Sequence, residues 1–493
     1  MKKAVIIGAG IGGLSSAALL ANKGYNVTVL EKNGSVGGKM NQIETAGYRF
    51  DTGPSLLTMP FLIEKLFEMC GENLSDYLQF VELDPLCRYF YPDGTVFDNF
   101  LDREKTEEQI HAFAPGDVGN YSKFLDRSHQ LYNRTADAFL FNPLYSVQDF
   151  LKVNPFKFLD IDAFSTVSDK VDGYVTSDYL RRFFKRFTTY NGSSPYRAPA
   201  TLNVIPHVEL NQGGYYVKGG MFKIAEALQQ LAISKGVEIE FRSEVEKIDV
   251  QGKQVTGVHL TDGTHVSCDL LFSNSDATET IVKLLPNFSI SDRKKQKQKN
   301  IEPSCSGFVL LLGCNNRWKE LKHHNIFFST NYQKEFEDIF ENKKLPGDPT
   351  IYIANTSYSD SDHAPPNTSN LFILVNAPYL DKSQNWEKLS ATYADFIIHE
   401  LENRGLTGLR NSIEVQKVIT PKEFYDLYRS NKGSIYGTSS NDKFSAFVRP
   451  RNKLRSLENL YLVGGSTHPG GGIPLVIQSA FNAFALLERD LNT

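Results

Sequence analysis

The run VIIGAGIGGLSSAALLANKGYNVTVLEK constrains this chain most, because few folds accept so many glycines between an apolar strand and a helix. Ala4 to Ile7 is a short, wholly apolar stretch of the kind buried in a parallel sheet. Gly8, Gly10 and Gly13 then satisfy GxGxxG, with Ile11 and Gly12 between the last two. Leu14 to Lys23 carries small and apolar residues suited to a close-packed helix, which Gly24 ends. Asn26 to Leu30 is a second strand, and Glu31 stands at its end. Gly8 permits a tight turn, Gly10 lets the backbone approach a pyrophosphate, and Gly13 lets the helix pack on the strand. The free N–H groups and positive dipole end of the helix hold the phosphate charge. Glu31, 18 residues past Gly13, can accept hydrogen bonds from ribose hydroxyls. A glycine turn alone is weak evidence; strand, turn, helix, strand and carboxylate in order predict a dinucleotide-binding Rossmann unit.

Two further segments extend this unit. Gly219-Gly220 precedes the amphipathic stretch MFKIAEALQQLAISKG. After it, VEIEF begins a parallel strand, a three-stranded meander with turns at Gln251-Gly252 and Asp262-Gly263, and a return strand ending at Asn274. Near the carboxyl end, Leu460 to Val463 is a strand, followed by a turn holding Gly464, Gly465, Gly470, Gly471 and Gly472 and a helix with Pro474 in its first turn. At 493 residues the chain exceeds one compact core. The expected division is a discontinuous nucleotide domain of residues 1–75, 210–300 and 445–493, with 76–209 and 301–444 forming an α+β substrate-binding and membrane-associating region.

Composition narrows the partners. A net charge of −4 gives no reason to expect nucleic acid. Cys70, Cys87, Cys268, Cys305 and Cys314 are odd in number, lack CxxC spacing and read as reduced intracellular thiols. Ala4 to Ala21 is too glycine-rich for a signal peptide, and no other stretch is long and apolar enough for a transmembrane span. The 34 phenylalanines and 23 tyrosines either fill a large core or line a long apolar cavity. Thr135 to Leu159, rich in aromatics and interrupted by Pro143 and Pro155, is a helical cap, an interfacial segment or a tunnel wall. Arg293, Lys294, Lys295, Lys297 and Lys299 read as a solvated helix face, with anionic headgroups the alternative.

The nucleotide motif, EKNGSVGGKM, FDTGPSLL and LVGGSTHPGGGIP together resemble the flavoprotein family of amine oxidases, protoporphyrinogen oxidases and carotenoid desaturases. The segments YNGSSPYRAPATL, GGYYVKGGM and TPKEFYDLYRSNKGSIYG resemble the bacterial carotenoid desaturases, and the first is closest to the 1-hydroxycarotenoid 3,4-desaturases. The resemblance covers essentially the whole chain. It implies FAD as cofactor, bound along Gly8, Gly10, Ile11, Gly12, Gly13, Glu31, Lys32, Gly38, Lys39, Pro54, Ser55, Val245, Asn274, Gly464, Gly465, Gly472 and Ile473. Lys39 would reach a phosphate, the backbone of Val245 adenine, and the last helix the pyrimidine end of the flavin. It also implies a carotenoid substrate, peripheral contact with the cytoplasmic membrane face, and oxygen or a quinone as electron acceptor. Phytoene desaturases and carotenoid oxidases of the same fold are alternatives, as are amine oxidases. The non-catalytic Rab GDP-dissociation inhibitors are another, opposed by Gly37-Gly38-Lys39 and the turn from Gly470 to Pro474.

A long polyene calls for an apolar tunnel, with hydride passing to flavin N5 and a neighbouring carbon losing a proton. No nucleophile triad is expected. Nor is there metal-ligand spacing: His323-His324 lacks matched carboxylates and reads as a surface pair. Tyr190, Asn191, His207 and Glu209 are the polar candidates for proton acceptor or for holding a terminal hydroxyl, with Glu209 the best base if buried. The loop Tyr190 to Leu202 is expected beside the reactive face of the flavin.

Overall fold

The computed structural model describes residues 1–141, 161–162, 164–442 and 449–492. Its centre is a five-stranded parallel sheet in the order Leu460–Leu462, Leu270–Ser273, Lys3–Ile7, Asn26–Glu31, Glu238–Phe241. Both faces are covered at its centre, which explains why Ala4 to Ile7 and Leu270–Ser273 read as apolar runs, whereas the edge strand Glu238–Phe241 alternates and is largely exposed. Ala4, Ile6, Val27 and Val29 point to one side, into a core shared with the helices Ile11–Asn22, Lys223–Ser234 and Ile473–Leu491. Val5, Ile7, Leu30, Leu271 and Leu460 point to the other, against the meander Val245–Gln251, Gln254–Leu260 and His265–Ser267. Strand alternation sorts the two sets, and each fully buried aliphatic side chain contributes about 1.5–3 kcal/mol.

The first helix starts at Ile11, three residues before the expected Leu14, and ends at Asn22. The glycines therefore form its first turn as well as the loop. Gly13 explains why: a Cβ there would lie 2.0 Å from the Gly8 carbonyl oxygen.

A seven-stranded sheet is built from residues 87–99 and 306–419, in the order Ile413–Ile419, Ser306–Cys314, Ser369–Ala377, Ile351–Asn355, His324–Phe327, Cys87–Phe90, Val96–Asn99. Neighbours are antiparallel, apart from His324–Phe327 with Cys87–Phe90. Phe308, Leu310, Ile353 and Ile373 face the helix Trp386–Asn403. The opposite face carries Tyr352, Phe372 and Leu374. The short strands Phe80–Glu82 and Tyr215–Val217 pair across the expected domain boundaries.

The basic cluster lies on the helix Asp292–Lys299, but Lys295 is buried and donates to the Leu285 carbonyl and to Asn287, so the charged face is interrupted. Residues 142–160 of the aromatic stretch lie outside the described residues. Among the described residues, no helix is long and apolar enough to cross a membrane.

Candidate active site

The carboxyl edge of the parallel sheet opens into one cavity of ≈ 920 Å³. Its nucleotide end is lined by Gly8, Gly10, Ile11, Glu31, Lys32, Gly38, Lys39, Val245 and Asn274. Pro54, Ser55, Gly465, Gly472 and Ile473 line it further along, and Tyr190, Asn191 and Glu209 line its far part. Gly12, Gly13 and Gly464 do not reach the cavity. They permit close packing behind it, where a Cβ on Gly12 or Gly464 would fall 2.7 or 2.6 Å from Asn274 Oδ1.

The nucleotide end fits a dinucleotide. A Cβ on Gly10 would lie 2.7 Å from Asn274 Nδ2, and that amide donates to the Gly8 carbonyl at 3.3 Å. Glu31 is buried and fixed by the turn it faces: Oε2 accepts from the Ala9 N–H at 2.7 Å and Oε1 from the Asn33 N–H at 2.8 Å. Oε1 also accepts from the Asn33 side-chain amide at 3.0 Å, so Oε2 is the oxygen that keeps a lone pair for a ribose hydroxyl. Lys39 donates to the carbonyls of Ser434 and Ile435 at 3.1 and 2.7 Å. Burial pulls its ammonium down to about 8, so an anion arriving nearby favours the charged form. Gly472 to Val476, the first turn of the last helix, border the cavity and present its positive end.

The far part is apolar on the sheet side. Ile326, Phe372 and Leu374 reach it from alternate positions of their strands, and so do His324 and Tyr352. His324 corrects the surface reading of the histidine pair. Both rings are buried, with His324 Nδ1 2.6 Å from the Tyr352 hydroxyl and His323 Nδ1 2.8 Å from Ser359 Oγ. The two rings meet edge to face with centroids 4.5 Å apart, and burial holds both imidazoles well below the usual histidine range. Tyr352 in turn meets Ser55 Oγ at 2.5 Å.

Beside the sheet residue Tyr89 lies an ion pair. Arg186 Nη2 donates to Glu209 Oε1 at 2.6 Å and to the Tyr89 hydroxyl at 2.6 Å, while Tyr190 donates to the other carboxylate oxygen. The two charged side chains are only 7% and 3% exposed, so water does not screen them. Burial and the Glu209 charge hold the Tyr190 phenol well above its usual range, so it stays a neutral donor. Arg186 and Tyr89 were not expected from the sequence. The signal for Arg186 was a lone set of cations inside YLRRFFKRF, where its guanidinium sits 4.0 Å over the Phe187 ring.

Of the other candidates, Asn191 borders the cavity but serves the loop: it donates to Ser440 at 2.6 Å and accepts from Arg449 at 3.3 Å. His207 does not line the cavity. It is buried against His129 and Tyr132, and its Nδ1 faces the Asn211 amide at 2.8 Å. Helix phase decides this, because Glu209, two residues on, points the other way. The loop itself is ordered by long-range bonds, including Ser440 N–H to Ser193 Oγ and Ser194 N–H to Asn441 Oδ1, each 2.8 Å.

Residues 11–485 match the family of flavin-containing amine oxidoreductases. The chain belongs to that family. Within it, the relatives are carotenoid desaturases and oxygenases. The chain is 36% identical to 4,4'-diaponeurosporene oxygenase of Staphylococcus haemolyticus, over 97% of this chain and 95% of the relative. It is 38% identical to 1-hydroxycarotenoid 3,4-desaturase of a Flavobacterium strain, over 97% and 98%. The fold is shared with an oxidoreductase from Methanosarcina mazei, at a TM-score of 0.68 and 17% identity, covering 99% of this chain and 100% of the other. This flavoprotein is an oxidoreductase of the carotenoid desaturase and oxygenase type, with FAD as its cofactor.

Proposed function

We propose that this enzyme introduces the 3,4 double bond of a 1-hydroxylated carotenoid, acyclic or monocyclic. The observation that supports it is the buried Arg186–Glu209 pair, which lines the far chamber with Tyr190 and is backed by Tyr89, in a wall that also carries Ile205, Val208, Ile326, Phe372 and Leu374. Desolvating two charges costs several kcal/mol, and a hydrocarbon offers nothing in return. A terminal hydroxyl can bond to this group, so the cluster favours an oxygenated end over a plain one. The name of the Flavobacterium relative agrees with this reading. The Staphylococcus relative keeps oxidation of a carotenoid end as the alternative.

Bound FAD supplies the hydride acceptor. We assign the chain's own work as follows. Gly10, Glu31, Lys39 and Val245 hold the dinucleotide, and the first turn from Gly472 favours negative charge at its far ring. Ile205, Val208, Ile326, Phe372 and Leu374 exclude water and align the polyene. Tyr190 orients the terminal hydroxyl. Glu209 accepts the proton, and a carboxylate suffices because a delocalised carbocation is a strong carbon acid. A lipophilic substrate resides in the bilayer, so we place the enzyme peripherally at the cytoplasmic membrane face, with oxygen or a quinone taking the electrons.

The test is incubation of the FAD-loaded protein with matched hydroxylated and plain carotenoids, analysed by chromatography and mass. Loss of two hydrogens with a red-shifted spectrum from the hydroxylated substrate supports the reading. Gain of a carbonyl, or conversion of phytoene alone, overturns it.

A further inference from the structure

The geometry points to a divalent transition-metal site on the outer face of the meander, formed by Asp249, His259 and His265 and suited to zinc. The residues lie on three different strands, so no spacing in the sequence connects them. His259 and His265 are direct cross-strand partners. Asp249 stands on the other side of the central strand, opposite Gly257, and so shares a face with His259 two residues on. His259 Nε2 lies 2.6 Å and His265 Nε2 3.4 Å from the same Asp249 oxygen, Oδ2. All three ligand atoms lie within 4.8 Å of one another, and side-chain rotation would bring them to the roughly 3.3 Å separation of the corners of a tetrahedral zinc site.

Two neighbours prepare the arrangement. A Cβ on Gly257 would come 2.7 Å from His265 Nε2, so glycine provides the space through which the imidazole reaches the carboxylate. Lys247 Nζ binds the other oxygen, Oδ1, at 3.1 Å and leaves Oδ2 to the histidines. The side chains are 24–44% exposed, so an ion can enter and water can complete its coordination. Two imidazoles and one carboxylate suit zinc and its neighbours in the first transition row; calcium and magnesium prefer all-oxygen sites. A bound ion joins the three meander strands, the first of which begins at Val245 beside the nucleotide end of the cavity. Its role is therefore to stiffen the nucleotide-binding side, independently of the substrate.

The experiment uses the full-length, FAD-loaded protein after chelation, titrated calorimetrically with zinc chloride. One equivalent should bind with a dissociation constant below about 10 μM and raise the melting temperature by mass action. His265→Ala and Asp249→Asn should each weaken binding at least tenfold while the flavin spectrum stays unchanged. His265→Ala is the decisive variant, because the shorter bond between His259 and Asp249 survives in it. No binding at 100 μM zinc, or equal affinity in wild type and His265→Ala, would overturn the assignment.

Discussion

At the scale of single residues, two positions govern the nucleotide end. Gly10→Ala would drive a methyl group to 2.7 Å from the Asn274 amide, which must then leave the Gly8 carbonyl. FAD affinity should fall at least tenfold, about 1.4 kcal/mol, in a flavin fluorescence titration. Lys39 gives a pH signature. Its ammonium is pulled to about 8 by burial without the cofactor, and a diphosphate raises it. FAD binding should therefore take up a proton above pH 8, and affinity should weaken as pH rises, by at most about tenfold per unit. Lys39→Met should bind more weakly at pH 7 and lose this slope. On the substrate side, Tyr190→Phe removes a hydroxyl from the Glu209 cluster while leaving the ring stacked on Phe187. Preference for hydroxylated over plain carotenoid should fall about tenfold with FAD still bound, read as the ratio of kcat/KM values. Equal losses on both substrates would argue against a role in selection. Glu209 was legible as a candidate because it is a lone acid beside an odd loop. Its ion pair was not, since Arg186 lies 23 residues away and only packing joins them.

At the scale of elements, the turn before the helix Lys223–Ser234 shows how the cavity wall is held. Asp51 accepts from the N–H groups of Met221 and Phe222 at 3.0 and 3.1 Å and pairs with Arg49. Gly220 has φ +103°, and a Cβ there would lie 2.0 Å from the Arg49 guanidinium. Gly220→Ala should break this buried pair and cost about 2–4 kcal/mol, seen as a lower melting temperature in thermal unfolding. The antiparallel sheet teaches a different lesson. Period two in HNIF, TIYIAN and LFILVN shows that alternate residues share a face. It does not say which face meets the helix Trp386–Asn403 and which meets the cavity. That is why His324 and Tyr352 became visible as cavity residues only once the sheet was folded.

At the scale of the molecule, one cavity runs from the nucleotide end to the Arg186–Glu209 pair, so cofactor binding and stability are linked. FAD at about 100 times its dissociation constant should add about 2.7 kcal/mol, raising the melting temperature in a concentration-dependent way. The sequence by itself determined the Rossmann unit and the flavin family. Those features depend on local backbone needs: glycine where a Cβ would collide, apolar runs where both faces are covered, a carboxylate at a strand end. Only the tertiary structure decided which polar groups meet. Arg186 with Glu209, Tyr352 with His324, and Asp249 with two histidines are joined by strand pairing and helix packing, and the separation of residues along the chain carries no record of either.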